Sequence, residues 1–219
     1  TWAGPEIAVA STKAYTTQLM CMYMIALYMG RTKGTVEESY YRAFLTELSE
    51  IPEKLKAVLE NESEIEALAK ELYKKEQVFF IGRGPDAGVS YEGSLKLKEI
   101  SYINSFAIAA GELKHGTIAL IEKDTVVVAL ATQDKLFEKM LSNIQEVKAR
   151  GAYVIGLAKE GNKEIEKQAD KVIYIPDCID EITPLLSVVP LQILAYYIAK
   201  ERGCDIDKPK NLAKSVTVE

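Results

Sequence analysis

The chain has 219 residues, 48% of them hydrophobic and 27% charged, with a formal net charge of -5. Such a length accommodates one ordinary domain and an appendage, since domains cluster around roughly 100–150 residues, and the composition is too apolar for a disordered chain. Lys and Arg are scattered among Asp and Glu without a basic stripe, which argues against nucleic acid as a partner; the isolated thiols Cys21, Cys178 and Cys204 lack C-x-x-C spacing, which argues for reduced cytosolic cysteines and against a zinc site.

In chain order, the opening Thr1-Trp2-Ala3-Gly4 has neither a methionine nor a basic stretch, so no signal peptide is expected and the sequence reads as a segment that begins in mid-protein. Ser11 or Thr12 is expected to cap a helix that runs through the apolar stretch Leu19 to Met29 and stops at Gly30. That stretch falls short of the roughly 20 residues a membrane span requires, so a buried helix is expected and no membrane partner. A second amphipathic helix is expected from Val36 towards Ser49, closed by Pro52. A third, with Leu55, Val58, Leu59, Ile65, Leu68 and Leu72 on its face, carries the chain to Lys75.

From Gln77 the pattern changes. Continuously apolar strands are expected at 78–81, 126–130, 153–157 and 172–175, separated by helices from Ala87 to Tyr102, Lys135 to Arg150, near Ile165, and Ile182 to Arg202. Apolar strands alternating with helices define an α/β fold whose parallel sheet is buried on both faces. A polar tail, Asp205 to Glu219, follows Gly203.

Four features carry candidate chemistry. Gly82-Arg83-Gly84-Pro85-Asp86-Ala87 matches the G-x-G-x-x-A dinucleotide fingerprint, but about 20 residues on, where an acidic residue is wanted, stand Asn104 and Ser105; a tight strand-to-helix turn is the favoured reading. Glu92, Lys96 and Glu99, spaced four and three apart, share one helix face, either as a solvated ladder of ion pairs or as a carboxylate base beside a cation at the sheet's carboxyl edge. His115 is the only histidine and sits between glycines in Gly111-Glu112-Leu113-Lys114-His115-Gly116, a loop setting that suits either an incidental or a functional imidazole. Lys214 by composition is a tail lysine.

Four stretches together go further: 3–18 (Ala3-Gly4-Pro5-Glu6 to Thr17-Gln18), 92–103 (Glu92-Gly93-Ser94 to Tyr102-Ile103), 109–116 and 211–219 (Asn211-Leu212-Ala213-Lys214 to Val218-Glu219). They closely resemble the glutamine:fructose-6-phosphate amidotransferases, and the resemblance spans essentially the whole chain. It implies a sugar-isomerase (SIS) fold, a three-layer α/β/α sandwich around a parallel sheet. It divides the chain into 1–60, a helical remainder of a first SIS subdomain; 61–204, a second SIS subdomain; and 205–219, an active-site tail. The implied activity is conversion of fructose 6-phosphate plus ammonia to glucosamine 6-phosphate, in amino sugar biosynthesis, in a cytoplasmic homodimer, without metal, nucleotide or pyridoxal cofactor. The implied partners are the sugar phosphate and a glutaminase domain that supplies the ammonia.

The resemblance also implies roles. Lys214 forms a Schiff base with the open-chain sugar, Glu99 moves the proton between C1 and C2, His115 assists ring opening, often from the neighbouring subunit, and Lys96 lies by the reacting carbons. Val9, Ser11 and Ala213 line the sugar. The family's Ser/Thr-rich phosphate loop has no counterpart here, nor does the glutaminase cysteine, because Cys21 lies inside an apolar helix. Lys210 stands where many relatives have arginine. The rival expectations are a non-catalytic sugar-phosphate-binding SIS regulator and a related sugar-phosphate isomerase or deglycase.

Overall fold

Strands β1 (Gln77–Gly82), β2 (Asn104–Ala109), β3 (Val126–Leu130), β4 (Tyr153–Lys159) and β5 (Lys171–Ile175) form a five-stranded sheet in the order β2-β1-β3-β4-β5, every pair parallel. The computed structural model describes residues 1–214. Helices α1 (Lys13–Thr32), α2 (Glu38–Glu60) and α3 (Glu62–Leu72) precede the sheet, while α4 (Pro85–Ser101), α5 (Phe137–Lys148) and α6 (Thr183–Glu201) are woven through it.

Strand periodicity sorts the core into two. Val78, Phe80, Val126 and Val128 face a core shared with α1 to α4 and α6, whereas Phe79, Ile81, Val127 and Ala129 face a second core under α5. Alternate side chains of one strand point to opposite faces, so a strand covered on both sides must be apolar throughout, as β3 is. The result is the α/β/α sandwich expected from the sequence. Gly93 sets how closely α4 packs: a Cβ there would lie 2.6 Å from a Leu191 methyl on α6 and 3.2 Å from the Phe80 ring.

Several local expectations are corrected. Thr12 makes no side-chain cap; the carboxylate of Glu6 caps α1 instead, its Oε1 accepting the backbone N–H of Thr12 at 2.8 Å and of Ala14 at 3.1 Å. Gly30 lies inside α1 and Pro52 inside α2, where the buried row Phe44, Leu48, Ile51 and Val58 carries the helix through a proline whose exposed side costs one backbone bond. The expected third helix is divided at Asn61 between α2 and α3. Strand β2 was not among the strands expected.

The Gly82-to-Ala87 segment is the tight turn. A Cβ on Gly82 would meet the Asp86 backbone at 2.6 Å, so only glycine allows this approach. Asp86 is 1% exposed, and its carboxylate accepts the Thr132 backbone N–H at 2.8 Å and the Thr132 hydroxyl at 2.5 Å. Removing it leaves two buried donors bare, so Asp86→Ala is expected to cost about 3 kcal/mol, read as a lower urea midpoint at unchanged slope. Burial raises the Asp86 pKa against the opposing bonds from Thr132 and Gln133. The native carboxyl thus keeps its proton to higher pH than the unfolded one; its contribution is fully present below the unfolded pKa and is lost as pH rises through the folded pKa. The variant should lack that slope.

Candidate functional site

Because β1 and β2 are parallel, α4 between them must run back against the strand direction, from the sheet's carboxyl edge to its amino edge. Glu99, close to the end of α4 at Ser101, therefore lies towards the amino edge, which corrects the expectation of a carboxyl-edge base. His115 closes the 3-10 turn Ala110–His115 that follows β2, at the opposite edge, and its side chain is 74% exposed. One protomer does not bring His115 and Glu99 together.

Glu92, Lys96 and Glu99 do meet, and the ladder is not solvated. Lys96 is buried, with Nζ 2.7 Å from Glu99 Oε2 and 3.4 Å from Glu92 Oε1. Among the described residues, the buried Glu99 Oε2 is paired by charge with Lys96 and receives no directed hydrogen bond. Burial raises the Glu92 pKa, with the Lys96 charge pulling it back and the Glu99 charge adding to the rise. Burial raises the pKa of Tyr15 on α1, and the nearby Glu92 charge adds to the rise.

Beside this cluster is a cavity of about 210 Å³, lined by Ala8, Ala10 and Thr12, by Lys96 and Ile100 of α4, by α6 and by Asp207 of the tail. The N-terminal segment and the tail close it jointly: the Val9 N–H donates to the Asp207 carbonyl at 2.9 Å. The tail is moored to the end of α4, where the Lys210 N–H donates to Tyr102 Oη at 2.8 Å and its ammonium lies 4.3 Å from the ring centre. Ser11 is half-buried within the first of these segments, and Ala213 and Lys214 are exposed at the end of the second.

Glu6 was missed in the sequence. Its Oε2 lies 3.3 Å from Lys214 Nζ, so the carboxylate that caps α1 also holds the lysine of the tail. Burial works to raise its pKa, but the N–H groups of Thr12 and Ala14 and the Lys214 ammonium together bring it below the ordinary value. The legible signal was an acidic residue shortly before a helix start without an adjacent carboxylate cap.

The carboxyl edge, where open α/β sheets commonly bind ligands, carries a polar network of its own. Besides Asp86, Gln133 Nε2 donates to Thr183 Oγ1 at 2.6 Å, and the buried Lys159 ammonium lies 2.8 Å from both Asp134 Oδ2 and Asp180 Oδ1. This polar network escaped the sequence reading because its members come from four separate loops and strand ends.

Fold and site together define a sugar-isomerase domain. The family model described as SIS domain matches residues 71–201, and the chain belongs to that family. Over all 219 residues it is 62% identical to the glutamine–fructose-6-phosphate aminotransferase (isomerizing) of Caldanaerobacter subterraneus subsp. tengcongensis and 56% identical to that of Clostridium tetani, spanning 36% of the length of each. Among solved structures it is similar to the C-terminal domain of glucosamine-fructose-6-phosphate aminotransferase from Francisella tularensis, with a TM-score of 0.88 and 36% identity over 94% of this chain and 58% of that one. No helix among the described residues is long and apolar enough to cross a membrane.

Proposed function

We propose that this chain is the isomerising part of a glutamine–fructose-6-phosphate aminotransferase, converting fructose 6-phosphate and ammonia to glucosamine 6-phosphate and water. The observation that carries the reading is the buried Lys96–Glu99 pair beside a cavity closed by the segments that bear Ser11 and Lys214. A regulator that only binds sugar phosphate has no use for Glu99, His115 and Lys214 together.

In this reading Lys214 leaves Glu6, gives up its proton and attacks C2 of the open-chain sugar, forming an imine and releasing water; ammonia then adds at C2 and expels the Lys214 amine, leaving the imine of ammonia on the sugar. Glu99 takes the C1 proton on Oε1, the oxygen that Lys96 does not hold, and returns it at C2. Lys96 stays between the two carboxylates and stabilises negative charge that develops at the reacting carbons. Val9, Ser11 and Ala213 line the sugar. His115 opens the ring of a substrate held by a neighbouring subunit, because in its own chain it lies across the sheet from Glu99. Exposed Tyr91, Leu95 and Phe106 on α4 and β2 favour such a homodimer.

The exposed apolar residues of α1, Met22, Met24, Ile25, Tyr28 and Met29, favour residues 1–60 as the closing helices of a first SIS subdomain that covers them, with 61–204 the second and 205–219 the active-site tail. A glutaminase domain of the same cytoplasmic protein would supply ammonia for amino sugar biosynthesis. The test is product formation: full-length protein carrying this chain, given fructose 6-phosphate and ammonium, should release glucosamine 6-phosphate. Saturable binding of the sugar without turnover would replace the enzyme by a sugar-phosphate-binding regulator.

A further inference from the structure

The turn residue Arg83 follows β1 at the carboxyl edge of the sheet and takes no part in the site around Lys96. Its Nε–H donates to Asn143 Oδ1 of α5 at 2.8 Å. Asn143 Nδ2 donates in turn to Glu146 Oε2 at 3.2 Å, and the other Glu146 oxygen lies 2.8 Å from Lys114 Nζ, one residue from His115. The guanidinium also packs on the same turn: a Cβ placed on Gly111 would lie 3.5 Å from one of its nitrogens. On its inner side the turn is anchored by Ala110 and Leu113, both fully buried in the core under α5.

The two kinds of anchor do different work. Apolar burial of Leu113 fixes how deep the turn sits, but it is non-directional and leaves the turn free to rock about that point. The chain from Arg83 through Asn143 and Glu146 to Lys114 is directional and ties the turn on one side of Leu113, while the guanidinium packs against it at Gly111 on the other. The exposed imidazole hangs from the far end of that turn. Arginine suits the position because its planar fork presents Nε–H to Asn143 while its terminal nitrogens lie against Gly111, a division that a lysine ammonium cannot reproduce.

We propose that Arg83 is a positioning residue for His115, holding the 110–116 segment through Asn143 and Glu146 so that the imidazole projects in one direction from the edge of β2. The functional consequence rests on the reading of His115 as the ring-opening group; the loop measurement does not. Failure of that reading would appear separately, as unaltered turnover in His115→Asn.

The test is backbone hydrogen exchange with imidazole NMR on the 219-residue chain, whose single histidine gives unambiguous ring signals. Arg83→Met keeps the apolar stem and drops the charge and donors. Exchange across 111–116 should rise roughly tenfold and the His115 ring signals should move towards those of a free peptide, with β1 and β3 amides unchanged. Arg83→Lys should fall between the two. Unchanged exchange and ring signals in Arg83→Met with an intact sheet would overturn the proposal. Should Arg83→Met loosen the sheet as well, Asn143→Leu cuts the same chain from the α5 side, and an unaltered 111–116 segment there would overturn it equally.

Discussion

Glu99→Gln in the full-length protein is expected to lower isomerisation by roughly 10³–10⁴-fold while sugar-phosphate binding changes by only a few-fold. The substitution keeps the shape of a side chain packed on α4 and leaves Lys96 with a carboxylate, since Glu92 Oε1 is 3.4 Å from its Nζ. The amide oxygen of glutamine can still face the ammonium, so the fold should survive. What disappears is the basic carboxylate oxygen, and with it the acceptor for the C1 proton. Thermal unfolding close to wild type, with turnover lost in kcat and not in KM, separates this from a packing defect. Turnover within about tenfold of wild type would return Glu99 to the role of an ion-pair partner for Lys96.

Lys214→Arg should be more severe, at roughly 10⁴-fold or greater loss. Arginine keeps the positive charge that faces Glu6, at 3.3 Å in the native chain, so a purely electrostatic mooring of the tail would be preserved. A guanidinium remains protonated at accessible pH and cannot attack a carbonyl. Charge mooring and imine chemistry therefore give opposite outcomes for one substitution. Glu6→Gln supplies a control with a smaller effect: it weakens the contact to Lys214 and the cap on α1 together, so it should lower stability and loosen the tail while leaving the nucleophile in place.

Much of this was legible in the sequence, for reasons tied to particular residues. The three interior strands β1, β3 and β4 could be read because a strand covered on both faces has no polar residue to break its apolar run, as in Val126 to Leu130, and edge strand β5 could be read from the β-branched and aromatic run Val172-Ile173-Tyr174-Ile175. Edge strand β2, Asn104-Ser105-Phe106-Ala107-Ile108-Ala109, opens on two polar residues and has alanines at 107 and 109 where β5 has β-branched and aromatic side chains, so its strand signal is weak. Pro52 and Gly30 were read as stops by local propensity, which tertiary packing of the Phe44-to-Val58 face and of Leu27 overrode.

At the site, spacing alone placed Glu92, Lys96 and Glu99 on one face, but their burial depends on elements distant in sequence that cover that face, and spacing has no access to it. For Glu6 the sequence offers only an acidic residue ahead of a helix start. Its cap on α1 is made within residues 6–14, but its contact with Lys214 exists only once the N-terminal segment and the tail lie side by side. The edge on which each group sits also followed from topology and not from motif: two parallel strands joined by one helix oblige Glu99 and His115 to opposite edges. The proposed homodimer would reconcile the two by bringing His115 of one subunit to the cavity of another.

The most direct test of the proposed chemistry is borohydride trapping at Lys214. Full-length protein carrying this chain, incubated with fructose 6-phosphate and reduced with borohydride, is expected to gain one reduced sugar phosphate on the peptide containing Lys214, with no gain in Lys214→Arg and with activity lost in proportion to labelling. A fully active wild-type protein that acquires no label, or an active Lys214→Arg variant, would contradict the imine mechanism.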